Sequence, residues 1–264
     1  FCEHTMAGFH GWLQEKYGDL DSLNAAWNMR YVDWSDVTGG KLPRSPYTNI
    51  MAFQHFITER SNRHARARYD LVKAHNPDKP VTVHGNQPTL MYSAADGSST
   101  ALWRGNDFSF SEHIDGIGTS SFPAWRTSGN SELDHIDFFM RINNTRSGKA
   151  DKRLWLSELQ GGRAAHTTAV FPSVPGPMQQ RWIWTGLANG ADAFLLWCWR
   201  DEVFGRESSG FGFDGTDGFR DSRYKAMQLT RSVLDKHAEI VGGFSRDEAA
   251  VGILFSPQTY YQTW

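Results

Sequence analysis

Short apolar segments alternate with longer segments of helical periodicity along almost the whole chain, and this pattern constrains the fold more than any other feature. The apolar segments of strand length are residues 81–84, 114–120, 154–158 and 193–199. Strands that alternate with helices usually pair in parallel, because each helix returns the chain to the same end of the sheet. The sequence therefore predicts an α/β fold. The last strand is a continuous apolar run, which predicts burial on both faces.

Apolar residues at helical spacing predict the helices, and turn-forming residues mark their ends. The predicted helices span residues 6–17, 20–27, 49–75, 132–146, 177–189 and 221–241. Asp19 is expected to cap the second helix, and Gly190 is expected to follow the end of the fifth. Residues 251–256 are predicted to begin one further strand. Only four strand–helix units precede that strand, whereas a closed (β/α)₈ barrel needs eight.

The segment 152–162, KRLWLSELQGG, is the main candidate for a functional site. Its apolar run ends in Glu158, and the chain then turns through two glycines. In a parallel barrel the carboxyl ends of the strands form the active-site face, so a carboxylate at this position is well placed for catalysis. The alternative is that Glu158 only caps or pairs at the end of a strand.

Polar or aromatic side chains also follow two other predicted strands. They are Asn86 after the first strand, and Trp199, Arg200, Glu202 and Glu207 after the fourth. Because the carboxyl ends of neighbouring parallel strands meet on one face, these groups are expected to converge with Glu158. The alternative for the loop carboxylates is that they are solvated surface charges.

Charge and composition narrow the class of partner. The formal net charge is −2, without runs of like charge, so the sequence does not suggest nucleic acid or an anionic membrane as a partner. No apolar run approaches the roughly 20 residues needed to span a bilayer. The 11 Trp and 8 Tyr suit carbohydrate binding, because aromatic faces stack on the apolar faces of sugars.

The cysteines and short motifs predict neither a metal nor a cofactor. Cys2 and Cys198 are too few for a disulfide framework, and unpaired cysteines favour a cytoplasmic location. Cys198 is expected to be a buried thiol. Cys2 with His4 and His10 could bind a metal, but no second cysteine pair supports such a site. The sequence has no G-x-S-x-G, P-loop or H-E-x-x-H motif, which argues against the corresponding hydrolase, nucleotide-binding and metalloprotease classes.

Six stretches of the sequence, in this order along the chain, resemble the family 42 glycoside hydrolases. They are FHGWLQEKYGDLDSLNAAW (9–27), VTVHGN (81–86), EHIDGIGTSSFP (112–123), LWLSELQGG (154–162), GPMQQRWIWTGLANGADAFLLWCWR (176–200) and AAVGILFSP (249–257). These enzymes are β-galactosidases with a TIM-barrel catalytic domain followed by a flavodoxin-like trimerisation domain. The resemblance implies that residues 1–246 are the C-terminal half of the barrel, with strands five to eight, and that residues 247–264 begin the next domain.

The resemblance also implies a mechanism and a set of site residues. Glu158 would be the nucleophile of a retaining glycosidase, and the acid/base glutamate would lie upstream of Phe1. Glu207 would bind galactose hydroxyls, Trp199 would line the sugar pocket beside Arg200, and Asn86 would lie at the exit of strand five. Arg200 could also keep Glu158 ionised. Surface charge remains the alternative for Glu207, and core packing the alternative for Trp199.

Some positions differ from the family pattern. His166 stands where the family usually has a Trp, a His near Gly210 is lacking, and the zinc-binding cysteines of some members are reduced to Cys2, with Thr5 at another ligand position. The first differences leave galactose specificity open, and the last argues against zinc.

The sequence as a whole therefore predicts part of a larger enzyme. The expected substrate is a galactoside or oligosaccharide, the expected assembly of the full-length parent is a homotrimer, and the chain alone is expected to be inactive. Half a barrel also leaves two sheet edges unpaired, which favours association. Two alternatives remain: a retaining glycosidase of the same clan with another sugar specificity, and a non-catalytic sugar-binding or assembly protein derived from such an enzyme.

Overall fold

A parallel sheet of four strands forms the centre of the structure. Its strands are Thr82–His84 (β1), Gly116–Ser121 (β2), Arg153–Gln160 (β3) and Ala191–Trp197 (β6), in the spatial order β1-β2-β3-β6. A separate antiparallel pair consists of Ala165–His166 (β4) and Ala169–Val170 (β5). The computed structural model describes residues 2–39, 45–84, 109, 112, 114–126, 131–148, 151–163, 165–166, 169–208, 210–244 and 249–256. Because the four large strands pair in chain order and in parallel, the predicted α/β class is confirmed.

The helices lie close to their predicted positions. They are Glu3–Tyr17 (α1), Leu20–Trp27 (α2), Tyr47–His75 (α3), Pro123–Arg126 (α4), Ser131–Ser147 (α5), Gly176–Ala188 (α6), Arg220–Lys236 (α7) and Ala238–Gly242 (α8). The Asp19 side chain accepts a hydrogen bond from the Ser22 amide at the start of α2, so the predicted cap is confirmed. Gly190 has a φ of 85° just after α6, as a glycine beyond a helix end should. No described helix is long and apolar enough to cross a membrane.

Two apolar clusters hold the helices in place. The first lies between the sheet and its helices and includes Ala65, Ile117, Phe138, Ile142, Leu154, Leu156, Leu159, Trp182 and Ile183. The second joins α1, α2 and the first half of α3 and includes Phe9, Leu13, Leu23, Phe53 and Phe56. Helix α3 contributes to both clusters and therefore ties the two N-terminal helices to the sheet. Full burial of each large apolar side chain contributes roughly 1.5–3 kcal/mol.

Two sequence-based expectations are wrong. Strand β6 is not buried on both faces, because Leu195 is 46% exposed and Trp197 is 37% exposed. Within the described residues β6 is an edge strand, so part of its apolar surface has no covering neighbour. Residues 251–256 form no strand, and Ile253 and Leu254 are 93% and 96% exposed. No described strand lies beside this segment to accept its backbone hydrogen bonds.

Candidate active site

Glu158 lies near the carboxyl end of β3, where the pairing of the strand is irregular. Leu156 pairs with Thr119, yet Glu158, two residues further along β3, pairs with Ser120, the next residue of β2. The pairing of β3 with β6 shifts over the same stretch. One extra residue of β3 is therefore inserted against its neighbours, which is a β-bulge. Bulges of this kind often lie beside active sites and redirect a side chain.

The bulge determines the face of the sheet to which Glu158 belongs. Strict alternation along β3 would place Glu158 on the same face as Leu154 and Leu156, which are buried in the apolar core. Instead, Ser157 and Glu158 are both half-buried, and both take part in polar contacts away from that core. The bulge thus presents two successive polar side chains on the face opposite the core.

A hydrogen-bonded network connects Glu158 to the two preceding strands. The Ser120 hydroxyl donates to Oε2 of Glu158 across 2.7 Å, and the same hydroxyl oxygen lies 2.8 Å from Nε2 of His84. The other ring nitrogen of His84, Nδ1, lies 2.9 Å from the Ser157 hydroxyl oxygen. Oε1 of Glu158 forms no hydrogen bond with any residue that the structure describes. One carboxylate oxygen is therefore held and the other is available to react.

The loop after β6 crosses closely over Gly161, just beyond Glu158. The Gly161 amide donates to the Trp197 carbonyl at 2.9 Å, and the Gly161 carbonyl accepts from the Gln179 side chain. A Cβ atom at Gly161 would lie 2.6 Å from the Phe211 carbonyl oxygen and 2.9 Å from the Trp197 carbonyl oxygen. Rotation of a side chain cannot relieve contacts with backbone atoms, so this position requires glycine.

We expect Gly161→Ala to destabilise the protein by about 1–3 kcal/mol, the usual cost of forcing extra atoms into a packed site. Gly11→Ala is the matched control, because Gly11 lies within α1 and an added Cβ there meets nothing within 4 Å. That control should stabilise the protein by about 0.5–1 kcal/mol. Thermal unfolding of the purified variants measures both changes, and equal midpoints for the two variants would contradict the close approach.

A buried ion pair fixes the loop after β6 to α7. The guanidinium of Arg223 donates to both carboxylate oxygens of Asp217 at 2.8 and 2.9 Å, and it also donates to the carbonyls of Phe213, Val174 and Gly212. The Arg223 and Asp217 side chains are 0% and 3% exposed. Burial opposes ionisation of Asp217, but the hydrogen bonds and charge of Arg223 outweigh it and hold the pKa of Asp217 below its usual value.

Other carboxylates of this loop also have structural roles. Asp201 accepts from the amides of Gly212 and Thr216 at 2.9 and 3.0 Å, and Asp214 pairs with Arg220 at 2.6 Å. Glu207 differs from them, because its half-buried carboxylate forms no hydrogen bond or ion pair with the described residues. An acceptor left without a protein donor in such a position is suited to bind the hydroxyl groups of a ligand.

Cys198 and Glu207 both follow the end of β6, and Glu207 precedes Ser208, whose backbone bridges to Glu202. Burial raises the pKa of the Cys198 thiol, and the negative charges of Glu202, Asp201 and Glu207 raise it further. Cys198 directly follows β6 and is only partly buried, so the expectation of a buried strand thiol is wrong. A raised thiol pKa also makes Cys198 a poor nucleophile at neutral pH.

An aromatic cluster beside the strand ends was not anticipated from the sequence. Phe122, Trp125, Phe171 and Phe211 pack edge to face, with ring centroids 5.3–6.0 Å apart. The Trp125 amide donates to the side chain of Gln160, the last residue of β3. Phe122 and Trp125 lie at the exit of β2 and in α4, whereas Phe171 and Phe211 come from loops far along the chain, and no regular spacing connects the two groups. Only Phe122, at the exit of β2, carried a positional signal.

Comparison with known proteins gives the family. A family model described as beta-galactosidase, that of glycoside hydrolase family 42, matches residues 1–235. The chain belongs to glycoside hydrolase family 42. The beta-galactosidase Bga of Halorubrum lacusprofundi is 25% identical to it, in an alignment that covers 97% of this chain and 36% of the relative.

Solved structures of the family have the same fold. The cold-adapted beta-galactosidase of Rahnella sp. R3 superposes with a TM-score of 0.78 at 22% identity, covering 99% of this chain and 37% of that chain. An exo-carrageenase of family 42 from Bacteroides ovatus gives 0.67 at 17% identity, covering 94% and 34%. The predicted barrel-type α/β fold is thereby confirmed. The chain spans little more than a third of the length of these relatives.

The other predicted site residues of this family 42 chain have different environments. Trp199 is 61% exposed and stacks on Phe213 with ring centroids 5.9 Å apart, so it is not a core residue. Arg200 is exposed, and among the described residues its side chain forms no ion pair with Glu158. The donor to Glu158 is Ser120, which the sequence did not single out.

Two predicted site residues of the family 42 chain cannot be placed with their side chains. Asn86 lies outside the described residues. The backbone of His166 belongs to β4, but its side chain also lies outside the described part.

The cysteine considered as a metal ligand, Cys2, is exposed, and its thiol lies 3.3 Å from the Thr5 hydroxyl. Within the described ranges no group of three or more His, Cys, Asp or Glu residues could hold a metal ion.

Proposed function

We propose that this chain supplies the nucleophile side of the active site of a retaining β-galactosidase. The position of Glu158 is the observation that carries the proposal. It lies at the carboxyl end of a barrel strand, is turned away from the core by a bulge, and has one oxygen held by Ser120. Membership of family 42 and similarity to curated beta-galactosidases support galactosides as the substrate class.

The proposed reaction needs two carboxyl groups about 5–5.5 Å apart. Oε1 of Glu158 attacks the anomeric carbon while the bond to the leaving oxygen breaks, and a general acid protonates that oxygen. The resulting glycosyl-enzyme is then hydrolysed by water that the same second carboxyl group activates as a base. Glu158 leaves as a carboxylate, and the sugar retains its anomeric configuration.

The second carboxyl group is proposed to come from polypeptide outside these residues. Three of the carboxylates in the loop after β6, those of Asp201, Asp214 and Asp217, are already engaged in structural contacts. Coverage of little more than a third of the relatives is consistent with a contribution from elsewhere in a longer protein. Without general-acid help worth roughly 10²- to 10⁴-fold, the 264 residues alone should show little activity.

The oligomeric state of the full-length parent is proposed to be a homotrimer, which its resemblance to the family supports.

Substrate contacts are proposed for the residues that surround the strand ends. Glu207 is a half-buried acceptor that forms no hydrogen bond or ion pair within the described part of the chain, and Trp199 offers an exposed indole face for stacking. Arg200 lies next to Trp199 in the chain, and its side chain forms no hydrogen bond or ion pair with the described residues, although its backbone contacts Cys198 and Asp214. Asn86 and His166 keep the substrate-binding roles that the family resemblance implies for their positions.

A second candidate is a retaining glycosidase of the same family with another sugar specificity. The similarity to a family 42 exo-carrageenase favours considering it, as does His166 at a position where the family usually has Trp. A panel of nitrophenyl galactosides, fucosides and arabinopyranosides, together with carrageenan oligosaccharides, separates the two candidates when assayed on the full-length parent. Preference for the galactoside supports the first proposal, and preference for another sugar replaces it.

Trapping of the glycosyl-enzyme tests the nucleophile directly. A 2-deoxy-2-fluoro-galactoside with a good leaving group should react with the full-length parent and leave a fluorosugar on the peptide that contains Glu158. The fluorine slows both steps, but the good leaving group keeps the first step faster than the second, so the ester accumulates. Peptide mapping by mass spectrometry locates the label. A label on a different carboxylate would overturn the assignment of Glu158.

A further inference from the structure

We propose that His84 is a positioning residue that aims the Ser120 hydroxyl at Glu158, which leaves only Oε1 of the carboxylate to form the bond to the sugar. This inference rests on the proposed function, because it assumes that Glu158 is the nucleophile. Three parallel strands carry the parts: His84 ends β1, Ser120 lies in β2 and Glu158 lies in β3. The contacts are 2.8 Å from His84 to Ser120 and 2.7 Å from Ser120 to Glu158.

Counting of hydrogens fixes the direction of the network. A serine hydroxyl has one hydrogen, and the ionised carboxylate of Glu158 can only accept, so the Ser120 hydrogen must point to Glu158. Nε2 of His84 must then carry a hydrogen and donate to the Ser120 oxygen. Two forms of His84 meet this requirement. They are the neutral tautomer with its hydrogen on Nε2 and the charged imidazolium, which carries a hydrogen on both ring nitrogens.

The second ring nitrogen of His84, Nδ1, also has a hydrogen-bond partner in either form of the imidazole. Ser157 can donate to Nδ1 of a neutral His84 at 2.9 Å, or accept from Nδ1 and donate to the Thr119 carbonyl at 3.4 Å. Ser157 faces away from the core by ordinary strand alternation, and the bulge brings Glu158 to that same face. The imidazole is therefore held at both nitrogens and cannot rotate away from Ser120 without losing two hydrogen bonds.

The network suits both chemical steps of the proposed reaction. In the first step, a carboxylate held through Oε2 directs Oε1 at the anomeric carbon, and correct orientation accounts for a large part of catalysis. In the second step, negative charge returns to the carboxylate as the ester is cleaved. A hydroxyl already aligned with Oε2 stabilises that charge without rearrangement. Ser120 is 2% exposed, so water cannot replace it easily.

The test uses four variants of the full-length parent, two of which form a matched pair at position 84. Gln places an amide N–H where Nε2 of His84 lies and can donate to Ser120, whereas Asn places it at the Nδ1 side and reaches only Ser157. The variants are His84→Gln, His84→Asn, Ser120→Ala and the double variant of His84→Asn with Ser120→Ala. Values of kcat and KM for a nitrophenyl galactoside, the labelling rate with the 2-fluoro galactoside, and thermal midpoints are measured for each.

We expect Ser120→Ala and His84→Asn to lower kcat and the labelling rate by about 10- to 100-fold, the range for losing a hydrogen bond to a charged group, with KM within about 3-fold of the parent. His84→Gln should recover kcat to within about 3-fold of the parent. The double variant should be no slower than Ser120→Ala, because His84 acts through Ser120. The thermal midpoints of the four variants should not rank in the same order as their kcat values.

Two kinds of failure are distinguishable. Labelling of the unaltered parent at a residue other than Glu158 would overturn the proposed function and this inference together. If the label is on Glu158 but His84→Gln and His84→Asn react at equal rates, the positioning role alone is overturned. The same holds if the double variant loses kcat by the product of the two single losses, because the residues would then act independently. A variant that loses kcat only in proportion to its folded fraction would likewise show that His84 has a structural role. Rescue by Gln but not by Asn would support the inference.

Discussion

Replacement of Glu158 by Gln is expected to lower kcat/KM for nitrophenyl galactosides by roughly 10⁴- to 10⁶-fold in the full-length parent, the range seen when a catalytic nucleophile is removed. An amide cannot form the glycosyl ester that the retaining mechanism requires. The substitution hardly changes the shape of the side chain, and the amide oxygen can still accept from Ser120 across the 2.7 Å contact. The loss should therefore appear in activity while the thermal midpoint stays near that of the parent.

A matched control and a rescue make this prediction specific. Glu239→Gln removes an exposed carboxylate from α8, away from the strand ends, and should leave kcat/KM almost unchanged. In Glu158→Gly, added azide can occupy the vacant space and attack the anomeric carbon, which should restore turnover and give an α-galactosyl azide. Substantial activity in Glu158→Gln without azide, or an azide product of β configuration from Glu158→Gly, would contradict the role of Glu158.

Patterning of the sequence was sufficient to locate Glu158 but not to predict its orientation. An apolar run that ends in a carboxylate before two glycines indicates a strand exit. Alternation alone would have assigned Glu158 to the face of Leu154 and Leu156, within the core. The bulge that reverses this assignment depends on the register of β3 with both neighbouring strands, and such pairing cannot be read from one strand.

The partners of Glu158 were missed for a related reason. Ser120 and His84 lie 38 and 74 residues from Glu158 in sequence, and only the parallel pairing of three strands brings them together. Strand exits predict which segments meet, but they do not predict which side chains form hydrogen bonds. Arg200 was expected to stabilise Glu158 because it carries a positive charge. The structure provides the Ser120 hydroxyl instead, which donates without bringing another charge to the site.

Expectations about burial failed where they depended on neighbouring strands. The apolar composition of β6 correctly predicted a strand, but burial on both faces requires coverage that the described residues do not supply. The same reasoning applies to residues 251–256, where Val251, Ile253 and Leu254 are exposed. Helix boundaries were predicted more closely, because caps such as Asp19 are local and depend on few other residues.

The largest expected effect on stability comes from the Arg223–Asp217 ion pair. Arg223→Met should lower the free energy of unfolding by about 3–5 kcal/mol, because removing one partner leaves a buried charge without compensation. The carbonyls of Phe213 and Val174 would also lose their donor. Chemical denaturation of the purified protein measures the change. Arg231→Met is the control, since Arg231 forms an exposed pair with Asp235 at 2.7 Å and should leave the midpoint unchanged.

The pH dependence of this effect has a definite sign. Because Arg223 holds the pKa of Asp217 below its usual value, the pair contributes its full stability above the unfolded pKa of an aspartate, about 3.9. The contribution is lost as pH falls through the lower folded value. The difference in stability between the parent and Arg223→Met should therefore be constant near neutral pH and shrink in acid. A difference that grows below about pH 4 would contradict the ionised pair.

Replacement of both partners separates the charge effect from the packing effect. If an uncompensated carboxylate causes the loss, then Arg223→Met combined with Asp217→Leu should be more stable than Arg223→Met alone, because no buried charge remains. If the loss arises mainly from the backbone carbonyls left without donors, the double variant should be no more stable than Arg223→Met. The loop concerned includes Phe211, whose carbonyl lies against Gly161 beside Glu158. A double variant that recovers stability but not activity would therefore show that Arg223 also maintains the geometry of the active site.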